Sequence, residues 1–178
     1  MTISPSQENI NYQNRSLNKF RAKTIEKYAD IKCLDVGRGN GKYVNFFQTK
    51  INIHGCDYQL FDEWKKNPEK FSVCRIEDLT FDDCEFDLVT AFEVLEHIED
   101  YQKALSELKR VSSKYIAITV PNCELTQGMI ESRLLYYSWL DKTHANFWTQ
   151  DEVENIFKAA DLEIVESKLI NNIDTRSF

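Results

Sequence analysis

The chain has 178 residues, 42% of them hydrophobic and 29% charged, with a formal net charge of -7 at pH 7. That length and balance suit one globular domain with a proper core, and the acidic surplus argues against a nucleic-acid backbone as the main partner. No apolar run approaches the roughly 18 residues of a membrane-spanning helix, and the polar start MTISPSQENINYQNR lacks the apolar segment of a signal peptide. The five cysteines (Cys33, Cys56, Cys74, Cys84 and Cys123) show neither a C-x-x-C pair nor metal-ligand spacing. Reduced thiols, a cytoplasmic protein, no membrane and no bound metal are the expectation.

Residues 1–14 read as a loose arm. Leu17, Phe20, Thr24 and Tyr28 recur at helical spacing and predict a helix over 16–28, so that residues 1–30 form an arm and a helix. The basic stretch Arg15, Lys19, Arg21, Lys23 reads as a solvated face, the alternative being a patch that contacts phosphate. IKCLDV (31–36) predicts a first strand, followed by a glycine turn and a helix through Tyr43, Phe46 and Phe47. INIHGCD (51–57), the short FSVCRI (71–76), FDLVTAF (86–92) and KYIAITV (114–120) predict four more strands, the last stopped by Pro121. Tyr101, Leu105, Leu108 and Val111 share a face of a helix over residues 99–111. The connection 121–148, on the substrate side, is expected to be partly helical around MIESRLLYYSWL. TQDE (149–152) has the Thr-x-x-Glu form of a capping box and should start a helix through Val153, Ile156 and Phe157. DLEIVESKLI (161–170) predicts a final strand. Strands alternating with helices mean an α/β fold: a Rossmann-like, doubly wound, mostly parallel sheet of about six strands, in one domain over residues 1–178.

The stretch CLDVGRGNGKY (33–43) carries an acid near the end of the first strand and then glycines at 37, 39 and 41. In an open parallel sheet, ligands bind beyond the carboxyl ends of the strands. Glycines there let the backbone approach a ligand, and the amides of the following helix point toward it. Asp57, at the end of the second strand and 22 residues beyond Asp35, can accept both ribose hydroxyls of a nucleoside. The spacing G-x-G-x-G is not the dinucleotide fingerprint, whose last glycine would fall at Lys42, and no G-x-x-x-x-G-K-[ST] of an ATP-type loop is present.

LDVGRGNG, GCD at 55–57, IEDLTFDDCEFDLV at 76–89, FEVLEHI at 92–98 and ITVPN at 118–122, in this order, resemble the class I S-adenosylmethionine-dependent methyltransferases over about residues 30 to 165. The resemblance implies a seven-stranded fold with S-adenosylmethionine as cofactor. Asp35, Gly37 and Gly39 would frame its methionine part, Asp57 would hold the ribose and Tyr58 would flank the adenine. Ile76 would offer its amide to the adenine edge, and Phe92 and Glu93 would line the floor beside the sulfonium. Tyr12 or Arg21 would help close the site. Two positions depart from the family: Arg38 stands where a small residue is usual, and Arg75 where an acid often takes the adenine amino group, with Glu77 a candidate replacement. Arg38 either points to solvent, reaches an acidic group on cofactor or substrate, or obstructs the site.

A hydroxyl or amine acceptor can need a base as well as orientation. Of three histidines, His54 reads as structural and His97 as a capping or packing residue. His144, in DKTHANFWT (141–149), pairs with Asp141 as Asp-x-x-His, either as a general base with its orienting acid or as a pair that pins the loop. The segment resembles D-x-T-H-x-N-F in some small methyltransferases of glycan and secondary-metabolite pathways. Tyr136, Tyr137, Trp139 and Trp148 wall a substrate pocket or join the core. The expected activity is methyl transfer to a small-molecule or sugar-containing metabolite, at oxygen. The alternative is a degenerate cofactor-binding or non-catalytic subunit. Methylation of nucleic acid is disfavoured by the acidic charge and by AFEVLEH standing in place of an N/D-P-P-Y/F motif. After residue 170 too little chain remains for the family's last strand, so either the sheet stops at six strands or a partner copy covers its edge as a homodimer.

Overall fold

A computed structural model describes residues 17–37, 39–132 and 137–170. Helix α1 (Lys19–Tyr28) starts at Asn18, whose side chain accepts from the amides of Phe20 and Arg21. Strand β1 (Lys32–Val36) follows. Helix α2 (Lys42–Phe47), strand β2 (Asn52–Asp57), two 3-10 turns and strand β3 (Phe71–Val73) make the first half of the sheet. Strand β4 (Phe86–Phe92), a 3-10 turn (Leu95–His97), helix α3 (Tyr101–Val111) and strand β5 (Ser112–Thr119) make the second. Helix α4 (Gln127–Ser132) and a 3-10 turn (Tyr137–Leu140) lie in the connection, which is partly helical as expected, before helix α5 (Gln150–Ala159).

The five strands are parallel in the order β3-β2-β1-β4-β5. The chain winds outward from β1 in one direction through β2 and β3, and in the other through β4 and β5. The carboxyl ends of β1 and β4 therefore flank the switch point where such sheets bind ligands. All seven residues of β4 are buried, as a central strand covered on both faces requires. One core layer joins Leu34, Val36 and Val89 to Ala104, Leu108 and Val111 of α3. The other joins Cys33, Ile53 and Leu88 to Ile25 of α1 and Val44 and Phe47 of α2. Burying a side chain such as Leu108 contributes about 1.5–3 kcal/mol, so the helix spacing legible in α3 is also what fixes it to the sheet.

The predicted final strand is the main departure. Residues 161–170 form no strand, and the sheet has five strands among the described residues. The segment is tied by side chains instead. Glu166 Oε2 accepts from Lys27 Nζ and Tyr28 Oη of α1, each at 3.1 Å, and Gln150 Nε2 of α5 reaches Ser167 Oγ at 2.9 Å. Held by these contacts, it stands off β5 and leaves between them a groove of about 690 Å³. No helix among the described residues is long and apolar enough to cross a membrane.

Candidate functional site

The glycine turn is built by three fixed contacts. Gly37 and Gly39 sit at φ +71° and +50°, where L side chains are strained. The Gly37 amide donates to Cys56 O at 2.9 Å, holding the turn to the end of β2. The Gly39 amide donates to Asp57 Oδ2 at 2.7 Å, and the Tyr58 amide to Asp57 Oδ1 at 2.8 Å. Trp64, 2% exposed and stacked on Phe71, donates its indole N–H to Gly39 O at 2.8 Å. The Asp57 carboxylate is thus buried and aimed before any ligand arrives. Asp35, fully buried beside Thr90 in the β1–β4 ladder, accepts from the Thr90 hydroxyl at 2.6 Å.

Around this centre the other sequence candidates fall as follows. Tyr58 is 67% exposed at the rim, and Ile76 is buried just past β3. Glu77 accepts from Arg75 Nη2 at 2.8 Å. That pair turns the Arg75 guanidinium outward, where it is 68% exposed. Phe92 is buried at the end of β4. Glu93 follows at φ +57°, a left-handed conformation uncommon for a non-glycine residue and concentrated at functional sites. Its Oε1 accepts from Arg21 Nη2 at 2.6 Å and from Thr119 Oγ1 at 2.9 Å. Of the basic stretch, Lys19 and Lys23 are exposed, whereas Arg21 turns inward and clamps α1 to β4. Tyr12, Arg15, Arg38 and Tyr136 lie outside the described residues.

A second cluster stands over the turn after β4. The carbonyl of Glu96 accepts from the amides of Ala145 and Asn146 at 2.7 and 3.0 Å, and Asn146 Nδ2 donates to Ile98 O at 2.7 Å. These bonds bring the 141–147 loop, and with it His144, onto Glu96 and His97. The His97 and His144 ring centroids are 4.7 Å apart. Glu96 is 1% exposed; burial, aided by the nearby Glu93 charge, pushes its carboxyl up to about 8. Asp141 Oδ2 stands 3.7 Å from His144 Nε2, beyond hydrogen-bond range. Asp141 Oδ1 instead takes the amide and hydroxyl of Thr143 at 2.9 and 2.6 Å, which hold its pKa below the usual range. His54 bonds Ser72 Oγ at 2.9 Å between strands, and burial lowers its pKa. Trp148 packs partly into the core against Tyr101, while Trp139 stacks on Phe147 at 40% exposure.

Sequence reasoning passed over Trp64, Thr90, Glu96 and Thr143. Glu96 alone left a signal, as an acid within FEVLEHI. The others act through contacts with distant chain. Among the described residues, the groove along β5 touches this region at Arg21, Phe92, Thr119 and Trp148, and neither the glycine turn nor Asp57 lines it.

A parallel sheet with a glycine turn after β1, an amide-fixed acid ending β2 and a buried acid within β1 defines a nucleoside-cofactor domain of the class I methyltransferase type. Its residues fit S-adenosylmethionine: a buried carboxylate, Asp35, suits the ammonium group, and Asp57 suits the ribose hydroxyls. The methyltransferase domain family matches residues 7–167, and the chain belongs to it. S-adenosylmethionine is the cofactor of this class. An uncharacterised protein of Methanocaldococcus jannaschii is 33% identical over 102 residues, which are 55% of this chain and 44% of that relative. The chain thus spans less than half the length of the curated relative it matches. The fold is shared with the YcgJ protein of Bacillus subtilis (TM-score 0.63, 22% identity, 79% of this chain and 65% of that one). It is shared also with an S-adenosylmethionine-dependent methyltransferase of Aquifex aeolicus (TM-score 0.56, 19% identity, 78% of each chain). A third is the phosphoethanolamine N-methyltransferase 2 of Haemonchus contortus, solved with phosphomonomethylethanolamine and S-adenosylhomocysteine (TM-score 0.60, 18% identity, 80% of this chain and 36% of that one).

Proposed function

We propose that the protein transfers a methyl group from S-adenosylmethionine to an oxygen of a small-molecule or sugar-containing metabolite. The observation that carries this reading is the prearranged Asp57, buried and held by the Gly39 and Tyr58 amides at the end of β2. The bound cofactor supplies an activated sulfonium methyl group. In this reading Asp57 grips the ribose, Asp35 faces the amino group, and Gly37 and Gly39 leave room for the methionine part. Tyr58, Ile76 and Glu77 border the adenine. Phe92 and Glu93, the latter clamped by Arg21, form the floor on which an acceptor meets the methyl group. The acceptor enters from the 121–148 connection, whose loop carries His144 and Asp141. Because Thr143 already occupies Asp141, Asp141 serves better to fix the loop than to polarise His144.

Calorimetric titration with S-adenosylmethionine and S-adenosylhomocysteine tests the reading. Binding by both is expected, weakened at least about tenfold in Asp57→Ala, since charge-assisted bonds of this kind are worth about 1.5–3 kcal/mol each. A folded protein that binds neither is no methyltransferase. Where binding holds, turnover of hydroxyl-bearing acceptors is the expected outcome of a screen, and turnover of amines alone would overturn the choice of oxygen.

A further inference from the structure

Glu96, His97 and His144 meet in a way that neither packing nor the cofactor explains. One ligand atom from each lies within 4.8 Å of the other two. The His97 Nε2 to Glu96 Oε1 distance is 4.0 Å, too long for a hydrogen bond. Glu96 Oε2, on a side chain only 2% exposed, has no hydrogen-bond partner among the described residues. A buried carboxylate oxygen without a partner is costly, and two imidazoles stand beside this carboxyl group.

The tautomer of His97 sharpens the point. Its Nδ1 lies 3.1 Å from the carbonyl oxygen of Thr143, which can only accept, so Nδ1 carries the proton. The Thr143 hydroxyl, already donating to Asp141, accepts from the same Nδ1 at 3.1 Å. In the neutral ring Nε2 is then the bare nitrogen, and it is the one that faces Glu96. An imidazole held by an N–H···O=C bond on one side and bare on the other is the arrangement that presents a ring to a metal ion.

We propose that Glu96, His97 and His144 bind a divalent first-row transition-metal ion of the Mn²⁺, Co²⁺ or Zn²⁺ kind, with open positions that take an acceptor oxygen. Two imidazoles and one carboxylate suit these ions and leave coordination sites unfilled. Ligand bonds of about 2.0–2.2 Å at tetrahedral angles set ligand atoms roughly 3.3–3.6 Å apart, so the cluster, whose atoms lie within 4.8 Å of one another, closes by about 1 Å or somewhat more at its widest pair. The tie between the 141–147 loop and Glu96 holds the third ligand in reach. The ion would stand beside Glu93, on the side of the cofactor where the acceptor enters. A hydroxyl bound there loses its proton to solvent more readily, which gives His144 a ligand's task in place of a base's. The cation site itself is independent of the methyltransferase reading; the acceptor's place on it rests on that reading.

The test is a Co²⁺ titration of chelator-treated protein, followed by visible d–d absorption, with competition by Zn²⁺ and Mn²⁺. One saturable site is expected, displaced by Zn²⁺, weakened at least about tenfold in Glu96→Gln and lost in His97→Gln and His144→Gln. Titration of the same proteins with S-adenosylhomocysteine shows that the variants are folded, because these residues lie outside the cofactor's grip. The proposal is overturned by a wild-type protein with no Co²⁺ spectrum, or by a spectrum that persists in the His97→Gln/His144→Gln double variant. Metal binding without cofactor binding would leave the site standing and remove the methyltransferase reading, so the two fail separately.

Discussion

A methyl group on Gly37 would lie 2.3 Å from Val94 Cγ2 and sit on a backbone at φ +71°. Two effects therefore exclude a side chain there, and they can be separated. Gly37→Ala should destabilise by about 1–2 kcal/mol from the left-handed backbone, with the clash added. In the Val94→Ala background only the backbone part remains. Urea denaturation of the four proteins should give a favourable coupling of about 0.5–3 kcal/mol; simple additivity would mean that Val94 does not fill the space. At this scale the glycines, Asp35 and Asp57 were legible because each is local chemistry at the end of a strand. Trp64 was not, since its indole bond to Gly39 O crosses 25 residues and nothing near it in sequence marks it as part of the turn. His97 was legible only as a capping or packing residue, because the Thr143 carbonyl that sets its tautomer lies 46 residues away.

Strand β1 begins where it does because of a residue on its neighbour. The Asp87 carboxylate, 6% exposed, accepts from the amides of Asp30, Ile31 and Lys32. Burial pushes its pKa up, but the three amides outweigh this and hold it below the usual carboxylate value. A depressed carboxylate contributes stability that is fully present above the unfolded pKa of about 3.9 and is lost as pH falls through the lower folded value. Asp87→Asn should therefore be less stable than wild type at neutral pH, with the difference shrinking below about pH 4. Urea midpoints across that range check it, and a pH-independent difference would place the stabilisation elsewhere. Among the other elements, α3 and the capping box of α5 were legible from periodicity and from Thr149 with Glu152, both legs of which form. The final strand was misread because alternation over 161–170 looks like a strand, while the Lys27 and Tyr28 contacts that draw Glu166 aside lie 139 and 138 residues away.

Over the whole molecule, the sheet grades from a closed centre to an open edge. β1 and β4 have ladder partners on both sides, whereas β5 pairs only with β4 among the described residues. In a parallel ladder with one neighbour, alternate amides face away from that neighbour, and the groove along β5 leaves those of 112–119 without strand partners. Open ladder edges exchange through small local openings, while central strands exchange only through larger ones. Hydrogen exchange should thus find the amides of 32–36 and 86–92 slow and about half of those over 112–119 fast. An open edge is also a template for a second chain. Uniform protection of 112–119 that fades on dilution, together with a dimer by light scattering, would show two copies paired along β5. Half-protection at every concentration, with a monomer throughout, would mean that the side-chain ties of Glu166 and Ser167 alone keep the edge from pairing. In that case Glu166→Gln, by loosening the segment from α1, should be the change that makes the protein associate.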